Sequence, residues 1–135
     1  MTYAIQADLE TRFGAAEILQ LADRDGDGLA DSGVVAGALA EAAAEIDAYL
    51  AGRYALPLAS VPPVLVRLAC DIARYRLMAD NPLEEARTRY EDARRLLENL
   101  AAGRVSLGMP ASSAPPTGGI AVDVPDAVFD AATGF

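Results

Sequence analysis

Apolar residues recur at intervals of three and four along most of this chain, the period of helices that bury one face. Residues 6–22 read as one or two short helices, with Asp8 as a cap and Leu9 and Phe13 on one face. Gly14 interrupts that pattern, which resumes through Ile18, Leu19 and Leu21. A long helix is predicted from Ser32, its N-cap, to near Gly52. Its apolar stripe is Val35, Leu39, Ala42, Ile46, Tyr49 and Leu50. Pro62-Pro63 opens the next helix, because proline is tolerated in a first turn. Leu65, Leu68, Ile72 and Tyr75 mark its buried face. The last helix starts from Asn81, Pro82 and Glu84, read as a cap, a first-position proline and an early acid. Leu83, Ala86, Tyr90, Ala93, Leu97 and Leu100 then form a narrow seam with coiled-coil spacing, and Gly103 stops the helix. The seam suits packing within the domain or against a neighbouring subunit. The first reading is preferred, and Tyr90 and Leu97 are the candidate contacts under the second.

Between these helices lie an Asp-rich loop, residues 23–31, and a connector from Arg53 to Ser60, where Pro57 biases Leu56 away from the helical region. After Arg104 the pattern changes. Residues 108–119 form a Pro/Gly/Ser-rich linker. Residues 120–124 alternate like one short β-strand. The expected architecture is therefore mainly α. It is a small bundle of about four helices over residues 1–107, then the linker, then a C-terminal arm over 120–135. Apolar residues beyond a flexible linker make sense if the arm docks. Its candidate contacts are Ile120, Val122, Val124, Val128, Phe129 and Phe135.

Composition narrows the function. The chain has 135 residues, one ordinary domain, and a net charge of −9. All of its basic residues are Arg, with no Lys and no His. An acidic chain gains nothing from counterion release on DNA, so stable nucleic-acid binding is not expected, although DNA could slide past it. Without His or Lys, the commonest general bases and Schiff-base nucleophiles are missing, and no nucleophile elbow or phosphate-binding glycine loop is present. Cys70 lies in an apolar run and reads as a small buried hydrophobe. No stretch is apolar enough for a membrane span, and Met1-Thr2-Tyr3-Ala4 lacks the basic region of a signal peptide, so synthesis in the cytoplasm is expected.

One motif carries candidate chemistry. Asp23, Asp25 and Asp27 stand at the first, third and fifth positions of an EF-hand-like loop, Gly28 at the sixth and Asp31 at the ninth. Calcium requires such hard oxygen ligands on a tight turn. The twelfth position is Val34, so the bidentate acid is missing. The loop reads either as a weak calcium site or as a solvated acidic turn, and the turn is preferred. Two further pairings are open. Asp47 can pair with Arg53, and the run from Ile46 to Leu58 can fold back on the core.

Taken in order, "ADLETRFG", "LADRDGDGLAD", "EIDAYLAGRYALPL", "VPPVLVRLACDIARYRL" and "RYEDARRLLENLAAGRVSLG" resemble the Mu-like phage and prophage family of small neck proteins. The resemblance spans residues 3–108 and is most specific in "IDAYLAGRYALPL" and "DIARYRL". It implies a head–tail adaptor without catalytic residues. Such a subunit would form a dodecameric ring with copies of itself under the portal protein, joined to the next neck or tail-completion protein and surrounding the DNA channel. It would reside in the virion neck and, before assembly, in the host cytoplasm. Two other classes compete: a calcium-dependent protein-binding module built on the Asp23–Asp31 loop, and a small acidic regulator that masks a basic partner.

Overall fold

In a computed structural model, residues 2–78 and 81–108 are described, and they form five helices with no strand among them. The predicted linker and arm contacts, including the strand at 120–124, lie outside the described residues. The helices are α1 (Gln6–Phe13), α2 (Ala15–Ala22), α3 (Ser32–Leu50), α4 (Pro63–Met78) and α5 (Glu84–Ala102). Gly14, at φ 94°, separates α1 from α2. A side chain would strain that backbone, so the break falls at the glycine.

α4 runs antiparallel to both α3 and α5, which therefore run parallel to each other. Gly103, after α5, lies beside Arg53, after α3. The end of α4, at Leu77, adjoins the start of α3, at Gly33 and Gly37. α4 touches all four other helices. Its sequence predicts one buried face, yet nearly its whole circumference is buried, including Asp71 and Arg74. Tyr75, expected on that face, is only half-buried. On α3, Val35, Leu39, Ala42, Ile46 and Leu50 are buried as the stripe predicts, while Tyr49 is half-buried. The opposite face of α3 is Ala36, Ala40, Ala44 and Ala48, exposed small residues that carry little polarity.

The α5 seam packs inside the chain. Ala86, Ala93, Leu97 and Leu100 are buried, and Leu97 has no exposed surface to offer a neighbouring subunit. The helix ends as its glycine predicts. Gly103 takes φ 81°, its N–H donates to the Leu100 carbonyl at 3.2 Å, and the Arg104 N–H donates to the Asn99 carbonyl at 2.9 Å. This paired pattern satisfies carbonyls that the last turn would leave open.

The helix starts depart from the sequence reading at three places. Asp8 is the third residue of α1, not its cap, and its carboxylate reaches back to the Ile5 N–H at 2.9 Å. Ser32 is already helical, and Asp31 holds the cap position before it. Asn81 closes a turn by donating its N–H to the Met78 carbonyl at 3.0 Å, so α5 starts after Leu83 and Pro82 lies outside the helix.

The core is one cluster running from Tyr3 to Leu100, and it includes Leu9, Ile18, Ile46, Leu65, Leu68 and Ile72. Cys70 is fully buried within it, and burial pushes its thiol up to about 11, which keeps it an unreactive hydrophobe at neutral pH. Tyr3 anchors the N-terminal segment by donating its hydroxyl to Asp47. Burial, first, and then the Asp47 carboxylate raise the pKa of that phenol. Asp47 therefore pairs with Tyr3 and not with Arg53, whose guanidinium lies 6.0 Å from the Tyr54 ring centre. The Tyr54 hydroxyl accepts the Leu107 N–H at 3.2 Å, so the chain leaves α5 tied to the far end of α3.

Candidate functional site

The Asp-rich loop is held by its own aspartates. Asp23 accepts the N–H groups of Gly26 and Gly28 at 2.9 Å and of Asp27 at 3.1 Å. Gly26 and Gly28 take φ 76° and 82°, which lets the backbone curl around that carboxylate. One oxygen of Asp25 accepts the Asp27 N–H at 3.1 Å, and one of Asp27 accepts the Leu29 N–H at 2.8 Å. Asp31 accepts the Arg24 N–H at 3.0 Å and closes the loop.

Carboxylate oxygens of Asp23, Asp25, Asp27 and Asp31 lie within 4.8 Å of one another, so the structure gathers the four residues that the motif predicts. Slight desolvation raises the pKa of Asp23, but the converging hydrogen bonds outweigh it and hold the carboxyl below its ordinary range. The Asp27 N–H pulls Asp25 down; desolvation and the facing carboxylates more than reverse this and leave it raised. The donors are of the hard oxygen type that calcium takes, but Val34 supplies no bidentate carboxylate at the closing position.

A second polar cluster has no counterpart in the sequence reading. The Arg74 side chain is 5% exposed, and its guanidinium lies 4.4 Å from the Phe13 ring centre. It bonds Glu17 of α2 at 2.5 Å and Glu85 of α5 at 3.1 Å. Glu85 also bonds Arg89 at 2.6 Å, and Arg89 stands 3.9 Å from buried Asp71. This network ties α2, α4 and α5 together. Burial raises the pKa of Asp71 despite the surrounding Arg89, Arg67, Arg12 and Arg74. The Arg74–Glu85 contact, then Arg89, lower that of Glu85. The only sequence signal was charge inside a largely apolar run, where Asp71 and Arg74 stand between Arg67 and Arg76.

Tyr90 belongs to a third cluster. Its ring stacks on Tyr75 with centres 4.3 Å apart, and its hydroxyl donates to Glu45 at 2.9 Å. Glu45 also holds Arg76 at 2.7 Å. Tyr90 is half-buried, and these partners all lie within the chain. The remaining candidate contacts, Ile120, Val122, Val124, Val128, Phe129 and Phe135, fall outside the described residues. No helix among the described residues is long and apolar enough to cross a membrane.

The described residues form a small α-helical domain with an acidic corner and an internal ionic network, and comparison with known proteins places it in a family. Residues 3–124 match the family model described as Bacteriophage Mu, Gp36, and the chain belongs to that family. It is 36% identical over 115 residues to Gene product J of Escherichia phage Mu, covering 84% of this chain and 82% of that protein. It is also 49% identical over 79 residues to the Mu-like prophage FluMu protein gp36 of Haemophilus influenzae, covering 58% of this chain and 56% of that protein. It is thus a phage protein in the group of phage Mu Gp36 and gene product J.

Proposed function

We propose that the chain is a head–tail connector subunit, one copy in a dodecameric ring between the portal protein and the next neck or tail-completion protein. The ring surrounds the DNA channel in the neck of the virion, and its subunits wait in the host cytoplasm before assembly. The observation that carries this reading is membership of the phage Mu Gp36 family over residues 3–124. The physical features agree with it. A net charge of −9 disfavours adhesion to DNA, so the ring can line a channel without gripping its cargo. In this reading residues 1–107 are the connector domain, 108–119 a linker and 120–135 an arm that docks on a neighbour. Catalysis has no place in it, since the sequence holds neither His nor Lys.

Deleting the gene from the phage or prophage tests the role. Lysates examined by electron microscopy should then hold filled heads and free tails that do not join. Joined, infectious particles without the gene product would overturn the proposal. The calcium-module reading rests on the four clustered aspartates. It requires calcium to dominate the stability of the chain, and that outcome is measurable separately.

A further inference from the structure

One pole of the bundle carries a groove. A cleft of about 560 Å³ lies between the ends of α2 and α4 and the start of α5, walled by Leu21, Leu77, Met78 and Leu83. A smaller hollow of about 220 Å³ continues it along α3, past Gly33 and Gly37 to Arg76. Arg24 and Leu77 line both, so the two hollows adjoin at this pole. Leu83 is 56% exposed at its edge, unusual for a leucine with an apolar cleft beside it. Arg24 is fixed across the floor. Its guanidinium donates to the Leu21 carbonyl at 3.0 Å and to the Leu77 carbonyl at 3.3 Å. Among the described residues it forms no ion pair with a carboxylate. At Gly33 and Gly37 the backbone is open, with nothing near where a Cβ would stand.

We propose that this groove receives segment 120–135 of a neighbouring copy of the chain, a placement that rests on the ring reading above. The segment has the matching chemistry. Ile120, Val122, Val124, Val128 and Phe129 alternate with Asp123, Asp126 and Asp130, and it contains no base. Its apolar residues suit the leucine and methionine walls, and its acids suit Arg24. Arg76 is already held by Glu45, and Glu17 and Glu41 also line the hollows and would keep the acids to the Arg24 side. Its path also fits. The described chain leaves at the other pole, where the Leu107 N–H meets the Tyr54 hydroxyl at 3.2 Å. The body of α3 separates the two poles by about 26 Å, from its rise per residue. Residues 109–119 span at most about 36–40 Å when extended, enough to cross to an adjacent copy. An arm that leaves one pole and a groove that opens at the other give each subunit two unlike patches, as a closed ring with head-to-tail contacts requires.

The full chain with p-benzoyl-phenylalanine in place of Phe129, mixed from isotopically heavy and light preparations, tests this by photocross-linking and mass spectrometry. Adducts should join position 129 to residues 17–24, 33–38 or 76–83, with heavy–light pairs among them. Arg24→Glu should cut their yield by about tenfold, since it sets like charges face to face. Arg24 also bonds the Leu21 and Leu77 carbonyls, so melting curves check that the variant is folded, and Arg24→Gln, which adds no opposite charge, should cut the yield less than Arg24→Glu. Adducts elsewhere, no adducts, or only heavy–heavy and light–light pairs would overturn the placement, the last by showing that the arm seats on its own chain. The cross-link is read in purified protein. A subunit that fails to bind the portal yet forms it would refute the connector role alone, and a ring without it would refute the groove alone.

Discussion

Arg74 shows how much depends on which partner of a buried charge is removed. Its side chain is 5% exposed, that of Glu17 30% and that of Glu85 56%. Glu17→Ala leaves a buried guanidinium without its main partner, and stability should fall by about 3 kcal/mol. Glu85→Ala removes a solvated partner and should cost under about 1 kcal/mol. Chemical denaturation of the two variants checks the order, and equal losses would contradict this account of the network. Asp71 offers a test with the opposite sign. Burial raises its folded pKa, so its charge costs stability above that pKa, and the cost fades as pH falls through it toward the unfolded value. Asp71→Asn should therefore be the more stable chain at neutral pH, with the advantage gone below the ordinary Asp value of about 3.9. An advantage that grew on acidification would contradict the assignment. Neither group was legible as a site in the sequence. Asp71 and Arg74 stand among apolar residues of α4, and only the arrival of α1, α2 and α5 around that helix makes them buried and paired.

Among the elements, α5 was read most fully from sequence. Its apolar spacing and its terminal glycine act locally, so they survive into the structure. What spacing alone left open was which surface the seam meets. Leu97 is fully buried within the chain, so Leu97→Ala should cost about 2–5 kcal/mol in the isolated subunit. A melting curve unchanged by that variant would return the seam to the ring interface. Helix starts were read less well: the Asp31 carboxylate, at the cap position of α3, holds the Arg24 N–H of the loop, and the backbone at Asn81 closes a turn on Met78 before α5 begins. The Asp-rich loop was legible as a cluster, since its ligand spacing is a property of nine consecutive residues. In our account it is a structural corner that its own N–H groups hold. A calcium site of millimolar affinity would add only about 0.4 kcal/mol at a free concentration equal to its Kd. Calcium at that level should move the Tm by no more than about 3 °C. A shift of tens of degrees, reversed by a chelator, would favour the calcium-module reading.

For the whole molecule, the all-helical class was legible because Ala, Leu and Arg favour helices and the period persists over most of the chain. The groove at one pole was not, because it is made where the ends of α2 and α4 meet the starts of α3 and α5, and no single stretch of sequence contains it. The same scale governs function. A subunit with a net charge of −9 should not shift duplex DNA in a gel at physiological salt, and tight, salt-sensitive binding would contradict the channel role. The central claim is assembly on the portal, and electron microscopy of purified full chain mixed with its own portal particles tests it most directly. The account predicts added ring density of portal symmetry on the tail-facing side, coaxial with the DNA channel. Portal particles that remain bare at saturating subunit concentration would contradict it.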